Sequence, residues 1–168
     1  GVLSVIAGSP YFAGTEIYAV AVHPSGKFLY STDQAGDSVY GFSIDAATGQ
    51  LSGVSGSPIT SGANCRYLSC SPDGRFLYTN NFDSDNLSGY SVNSETGALT
   101  PIFGSPFSTG TRPYISQIDP TGMFLFNSNA GANNSVSSFT LDATTGAAST
   151  VSGSPYSAGS GPQWITLL

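Results

Sequence analysis

Arg66, in "ANCRYLSC", and Arg112, in "TRPYISQI", occupy near-equivalent places in two aligned segments of a chain with only four basic residues. A guanidinium can clamp a carboxylate or other anion through paired N–H donors. The competing reading is an ion pair with Glu16 or Asp119. Tyr67, Tyr114 and Trp164 stand in the same aligned segments and complete the candidate ligand contacts. Acid–base chemistry has fewer candidates. His23 is the only histidine, and Glu16 and Arg66 complete the set. A general base needs a partner within hydrogen-bond reach. None is apparent near His23, which precedes Pro24 and reads as a turn or rim residue. Asp83 and Asp85, in "FDSDN", alternate like the start of a calcium loop, but the following glycine and the distal glutamate are missing. That run reads as a hairpin loop, and no metal or cofactor is expected.

The remaining composition removes whole classes of function. Charged residues make up 8% of the 168, and the net charge of −6 leaves no basic surface for nucleic acid. No apolar run approaches the roughly 18 residues of a membrane span. Aromatics at 12% supply enough apolar surface for a core. The Gly/Ser/Thr/Asn-rich, lysine-poor composition points to an extracellular, periplasmic or cell-surface protein. Cys65 and Cys70 lie five apart in one strand segment, so they are expected to be buried thiols, not a disulfide. Asn86 and Asn133 each open an N-x-Ser sequon.

The elements that position these residues are repeated. "GSP" begins at Gly8, Gly56, Gly104 and Gly153, in steps of 48, 48 and 49. "PSGKFLY", "PDGRFLY" and "PTGMFLF" begin at Pro24, Pro72 and Pro120, and Thr-Gly recurs at Thr48, Thr96 and Thr145. Each unit holds four short runs of β-branched and aromatic residues bounded by turn residues, and no helical stripe. Pro-x-Gly suits a three-residue hairpin loop, with glycine taking the left-handed position.

Four antiparallel strands in about 48 residues is the period of a β-propeller blade. The expected fold is all-β: blades at 15–56, 63–104 and 111–153, a lone outer strand at 1–8 and a lone inner strand at 162–168. Each "GSP" is expected to end an outer strand and turn the chain inward, with Tyr11, Ile59, Phe107 and Tyr156 packing between blades.

The order of these phrases resembles the YVTN-type propeller of the lactonase (6-phosphogluconolactonase-like) family. "FLYSTD", "FLYTNN" and "FLFNSN" stand where that family writes Tyr-Val-Thr-Asn. The resemblance implies a seven-bladed ring and a ligand site at the channel mouth, where blades commonly begin Gly-Pro-Arg-His. Pro113 and Pro162 match the proline and Arg66 the arginine. The histidine column holds Ala19, Tyr67, Ile115 and Trp164.

With that column empty, the sequence favours a non-enzymatic exported or cell-surface propeller module for ligand or protein binding or for structural assembly. Its partners would be further blades of a longer chain, or neighbouring copies through open strand edges. The alternative is a fragment of a seven-bladed lactonase-type hydrolase acting on a sugar lactone.

Overall fold

The computed structural model describes residues 2–132, 134–163 and 165. Three antiparallel sheets follow one another. The first contains β1 (Ile17–Val22), β2 (Phe28–Asp33), β3 (Ser38–Ile44), β4 (Leu51–Gly53) and β5 (Ile59–Thr60). The second contains β6 (Cys65–Cys70), β7 (Phe76–Asn81), β8 (Asn86–Val92), β9 (Leu99–Pro101) and β10 (Phe107–Ser108). The third contains β11 (Pro113–Ile118), β12 (Phe124–Asn129), β13 (Ser135–Leu141), β14 (Ala148–Thr150) and β15 (Tyr156–Ser157). In each sheet the strands pair in chain order, and the fifth strand returns to the third. These are propeller blades, and no helix occurs among the described residues.

The "GSP" phrase interrupts the outer strand instead of ending it. β4 and β5 both pair with β3, on either side of the phrase. Between them the Ser57 N–H closes a turn onto the Val54 carbonyl (3.2 Å), with Gly56 at φ +79°. The Ser57–Pro58 peptide is cis, as are Ser9–Pro10, Ser105–Pro106 and Ser154–Pro155. The ladder loses a backbone acceptor there, and the serine hydroxyl replaces it. Ser57 Oγ accepts the Gly41 N–H, Ser105 Oγ that of Gly89, and Ser154 Oγ that of Ser138, each at 2.8 Å. Phe107 is buried and Ile59 packs against the first core cluster, whereas Tyr156 stays exposed.

The inner face of each blade interface is apolar. Phe28, Tyr30, Val39, Leu68, Leu77 and Tyr90 join the first two blades. Phe76, Tyr78, Leu87, Phe107, Leu125 and Phe139 join the second and third. Burying a side chain such as Leu77 or Leu125 in full contributes about 1.5–3 kcal/mol. The second blade is covered on both faces, so β7 is buried throughout instead of alternating. Two repeat phrases meet across these interfaces. The Tyr30 hydroxyl donates to the Gly97 carbonyl of the next blade, and Tyr78 to Gly146.

Two expected strands differ. Residues 2–8 form no ladder, because an outer strand pairs only with a third strand and none lies beside them among the described residues. Their turn still forms, with Ser9 N–H bonded to the Ile6 carbonyl at 3.1 Å. At 162–168, Pro162, Gln163 and Ile165 carry no strand, and the rest lie outside the described residues.

Candidate functional site at the channel mouth

The inner strands β1, β6 and β11 start with an irregularity in all three blades. Ile17 faces Asp33 and Val20 faces Ser31, so Tyr18 and Ala19 together oppose Thr32. Arg66 and Tyr67 likewise oppose Asn80, and Tyr114 is the extra residue between Pro113 and Ile115. Bulges of this kind re-aim side chains and recur beside functional sites. Here they gather one column of the repeat, Tyr18, Arg66 and Tyr114, at one end of the three strands.

The column forms a cluster. The Tyr18 and Tyr114 hydroxyls share a hydrogen bond of 2.5 Å, although they come from the first and third blades. Burial and the bond to Tyr114 push the Tyr18 phenol up to about 12, against the pull of Arg66. Tyr67 packs edge-on to Tyr18 at 5.4 Å and tilted against Tyr114 at 5.7 Å. The Arg66 guanidinium lies 3.5 Å from the centre of the Phe82 ring, and 5.3 and 5.4 Å from those of Tyr18 and Tyr114. Its Nε–H donates to Asn64 Oδ1 at 3.1 Å. The Asn64 side chain donates in turn to Asp83 at 2.9 Å, and its backbone N–H to Asp37 at 2.7 Å. One face and one nitrogen of Arg66 are therefore fixed, and among the described residues no hydrogen bond engages either terminal amino group.

Phe82 was not singled out in the sequence. The available signal was an aromatic in an otherwise polar loop, directly after β7. It also neighbours Arg112, whose guanidinium lies 5.5 Å from the same ring. Arg112 has φ +54°, and its N–H donates to Asp85 Oδ1 at 2.7 Å. Phe82, Asp83, Asp85, Thr111 and Arg112 line an open cleft of ≈ 870 Å³ beside the cluster.

The structure separates the other candidates. Neither Arg66 nor Arg112 forms the ion pair with Glu16 or Asp119. Among the described residues the only ion pair is Arg75–Asp73 at 2.7 Å. Asp119 instead holds its own turn, accepting the N–H groups of Thr121 and Phe124. Glu16 lies at the cluster's end of β1, its N–H bonded to Asp33 Oδ1 at 3.0 Å. His23 lies at the opposite end. Five residue steps along the strand separate it from Tyr18, about 17 Å at ~3.3 Å per residue. Its Nε2 donates to the Gly74 carbonyl at 2.6 Å, and its Nδ1 accepts from Ser25 N–H at 3.2 Å, so the ring links the two blades. Asp83 and Asp85 are each engaged by donors from the chain itself. Trp164 lies outside the described residues. Cys65 and Cys70 are free thiols, each pushed up to about 12 by burial. In the sequon, Asn86 Nδ2 donates to the Ser84 carbonyl at 3.0 Å.

The family model for lactonase, seven-bladed β-propeller, matches residues 2–111. The chain belongs to this family. Among solved structures, the lactonase propeller described above is similar to a candidate 6-phosphogluconolactonase from Bacteroides uniformis. The two superpose with a TM-score of 0.81 at 21% identity, covering 90% of this chain and 44% of that one. A candidate 6-phosphogluconolactonase from Bacteroides fragilis gives 0.79 at 22%, with the same coverage. The periplasmic gluconolactonase of Pseudomonas aeruginosa gives 0.70 at 21%, covering 80% and 39%. No curated protein matches the chain. This lactonase propeller thus spans less than half the length of these structures.

Proposed function

We propose that the chain contributes the channel-mouth wall of a sugar-lactone hydrolase, with Arg66 as its central residue. The observation that carries this reading is the fixed guanidinium of Arg66, bound at Nε by Asn64 and backed by Phe82. Lactone hydrolysis adds water to the ring carbonyl, breaks the ring C–O bond and yields a hydroxy acid. Negative charge develops first on the carbonyl oxygen and ends on the product carboxylate. Preorganised donors aimed at that oxygen stabilise the transition state more than the ground state. Arg66 supplies such donors, Arg112 adds positive charge, and Tyr67 with the Tyr18–Tyr114 pair sets aromatic rings beside them. Glu16 is the candidate base on this end, since His23 is turned to the other.

Family membership and the named relatives support this reading over a non-enzymatic module. A binding-only role is the second reading, favoured by the absence of histidine from Ala19, Tyr67 and Ile115. The periplasmic relative and the low charge support an exported location.

The test is hydrolysis of glucono-δ-lactone and 6-phosphogluconolactone by the 168-residue chain and by Arg66→Ala. Removing one oxyanion donor is expected to lower kcat by about 10²–10³. Gluconate binding without turnover, lost in Arg66→Ala, selects the binding role. The absence of both turnover and binding overturns the proposal.

A further inference from the structure

The link made by His23 is not repeated one blade on, and the space it would fill remains open. Between the first two blades the His23 ring stands edge-to-face with Phe28 at 5.7 Å and donates to the Gly74 carbonyl at 2.6 Å. The ring is 6% exposed, and a Cβ on Gly74 would lie 2.5 Å from it. A step of 48 residues puts Ser71 in place of His23, Phe76 in place of Phe28 and Gly122 in place of Gly74. Ser71 is too short to reach Gly122. The nearest atom to a Cβ on Gly122 is Pro72 Cδ at 3.6 Å, and no side chain among the described residues donates to the Gly122 carbonyl. What remains is a cleft of ≈ 790 Å³ lined by Ser71, Asp73, Phe76, Gly122 and Asp142. Arg75 reaches across it to the Ala143 carbonyl at 2.5 Å, so the two blades are bridged there by a different residue.

We propose that this cleft is a binding site for a small planar heteroaromatic molecule with a ring N–H, of imidazole type, seated against Ser71 and Gly122 as His23 is seated against Gly74. The protein's own histidine is the template for size and hydrogen bonding. A ring N–H donates to the Gly122 carbonyl, the ring edge meets Ser71, and Phe76 supplies the apolar wall. Asp73 is paired with Arg75 and Asp142 with its own turn, so the Gly122 carbonyl is the acceptor that sets the ligand's donor. The site lies at the opposite end of the blades from Arg66 and does not depend on the function proposed for that end.

The experiment is an amide NMR titration of the isotope-labelled chain with imidazole at pH 8. The expected result is saturable shifts confined to Ser71, Asp73, Gly122 and Ala143, with the region of His23 and Gly74 unaffected. Ser71→His should abolish those shifts by filling the space from within. A second probe needs no variant. 1-Methylimidazole has no N–H when neutral, and it should bind about tenfold more weakly, the worth of one hydrogen bond. Absent or scattered shifts, equal binding of the two probes, or shifts that persist in folded Ser71→His would each overturn the site.

Discussion

The Tyr30 hydroxyl in the first blade donates at 2.7 Å to the carbonyl of Gly97, 67 residues away in the second, and Tyr78 makes the same bond to Gly146 at 2.6 Å. The aromatic that ends "FLY" in one repeat thus reads the Thr-Gly turn of the next. Tyr78→Phe leaves a buried carbonyl unpaired and should lower stability by about 1–2 kcal/mol, read from the urea midpoint. Burial raises the Tyr78 phenol above its ordinary value. A raised folded pKa keeps the contribution intact at neutral pH and removes it as pH rises above the ordinary tyrosine range. The difference between wild type and Tyr78→Phe should therefore be equal at pH 6 and pH 8.

Two glycines with similar backbones should respond differently to alanine. Gly56 has φ +79° and nothing within 4 Å of a new Cβ, so only the left-handed penalty of about 1–2 kcal/mol applies. Gly97 has φ +73°, and its Cβ would lie 2.5 Å from the Phe28 ring. Overpacking there adds about 1–3 kcal/mol to the same penalty. Denaturant unfolding of Gly56→Ala and Gly97→Ala should separate the two terms.

Ser105→Ala removes the acceptor of the Gly89 N–H and should cost about 1–3 kcal/mol by the same measurement. Ser9→Ala is the internal control. No third strand lies beside Ser9 among the described residues, and its effect should stay within about 0.5 kcal/mol.

Acid should weaken the first blade through Asp33. Burial alone would raise this carboxyl, but the N–H groups of Glu16 and Thr15 outweigh it and hold it below the usual carboxylate range. A lowered folded pKa contributes stability that is present above the ordinary carboxylate pKa and lost as pH falls through the folded one. Asn81 and Asn129 occupy the same column, so Asp33→Asn fits the fold. Melting temperatures measured from pH 6 downward should fall less steeply for Asp33→Asn than for wild type.

Blade number and strand order were legible in the sequence because three phrases keep one register, and turn residues with a fixed φ cannot slip. The resemblance carried by "FLYTNN" and its relatives pointed to the lactonase family for the same reason. The "GSP" phrase differs. Its proline suggests a strand end, whereas the serine before it supplies the acceptor that lets the strand resume. The site was half legible. Arg66, Tyr67 and Tyr114 stood out by type and column. Phe82 did not, because its stacking on Arg66 joins two elements that no spacing relates. The bulges that bring Tyr18 to Tyr114 leave no mark in composition, since an extra residue in a strand looks like any other. His23 opens its turn, but its bond to Gly74 crosses between blades, and no spacing relates those two residues.

The serine–proline break has a further consequence at the rim of each blade. An unbroken outer strand would offer a row of free amides on which a strand from another molecule could zip up. Here the rim comes in pieces of three and two residues, separated by a turn and a proline that lacks an N–H. Short, interrupted pieces of this kind are the device by which exposed sheet edges are blunted against pairing with another chain. The motif that counts the blades thus also shortens every rim.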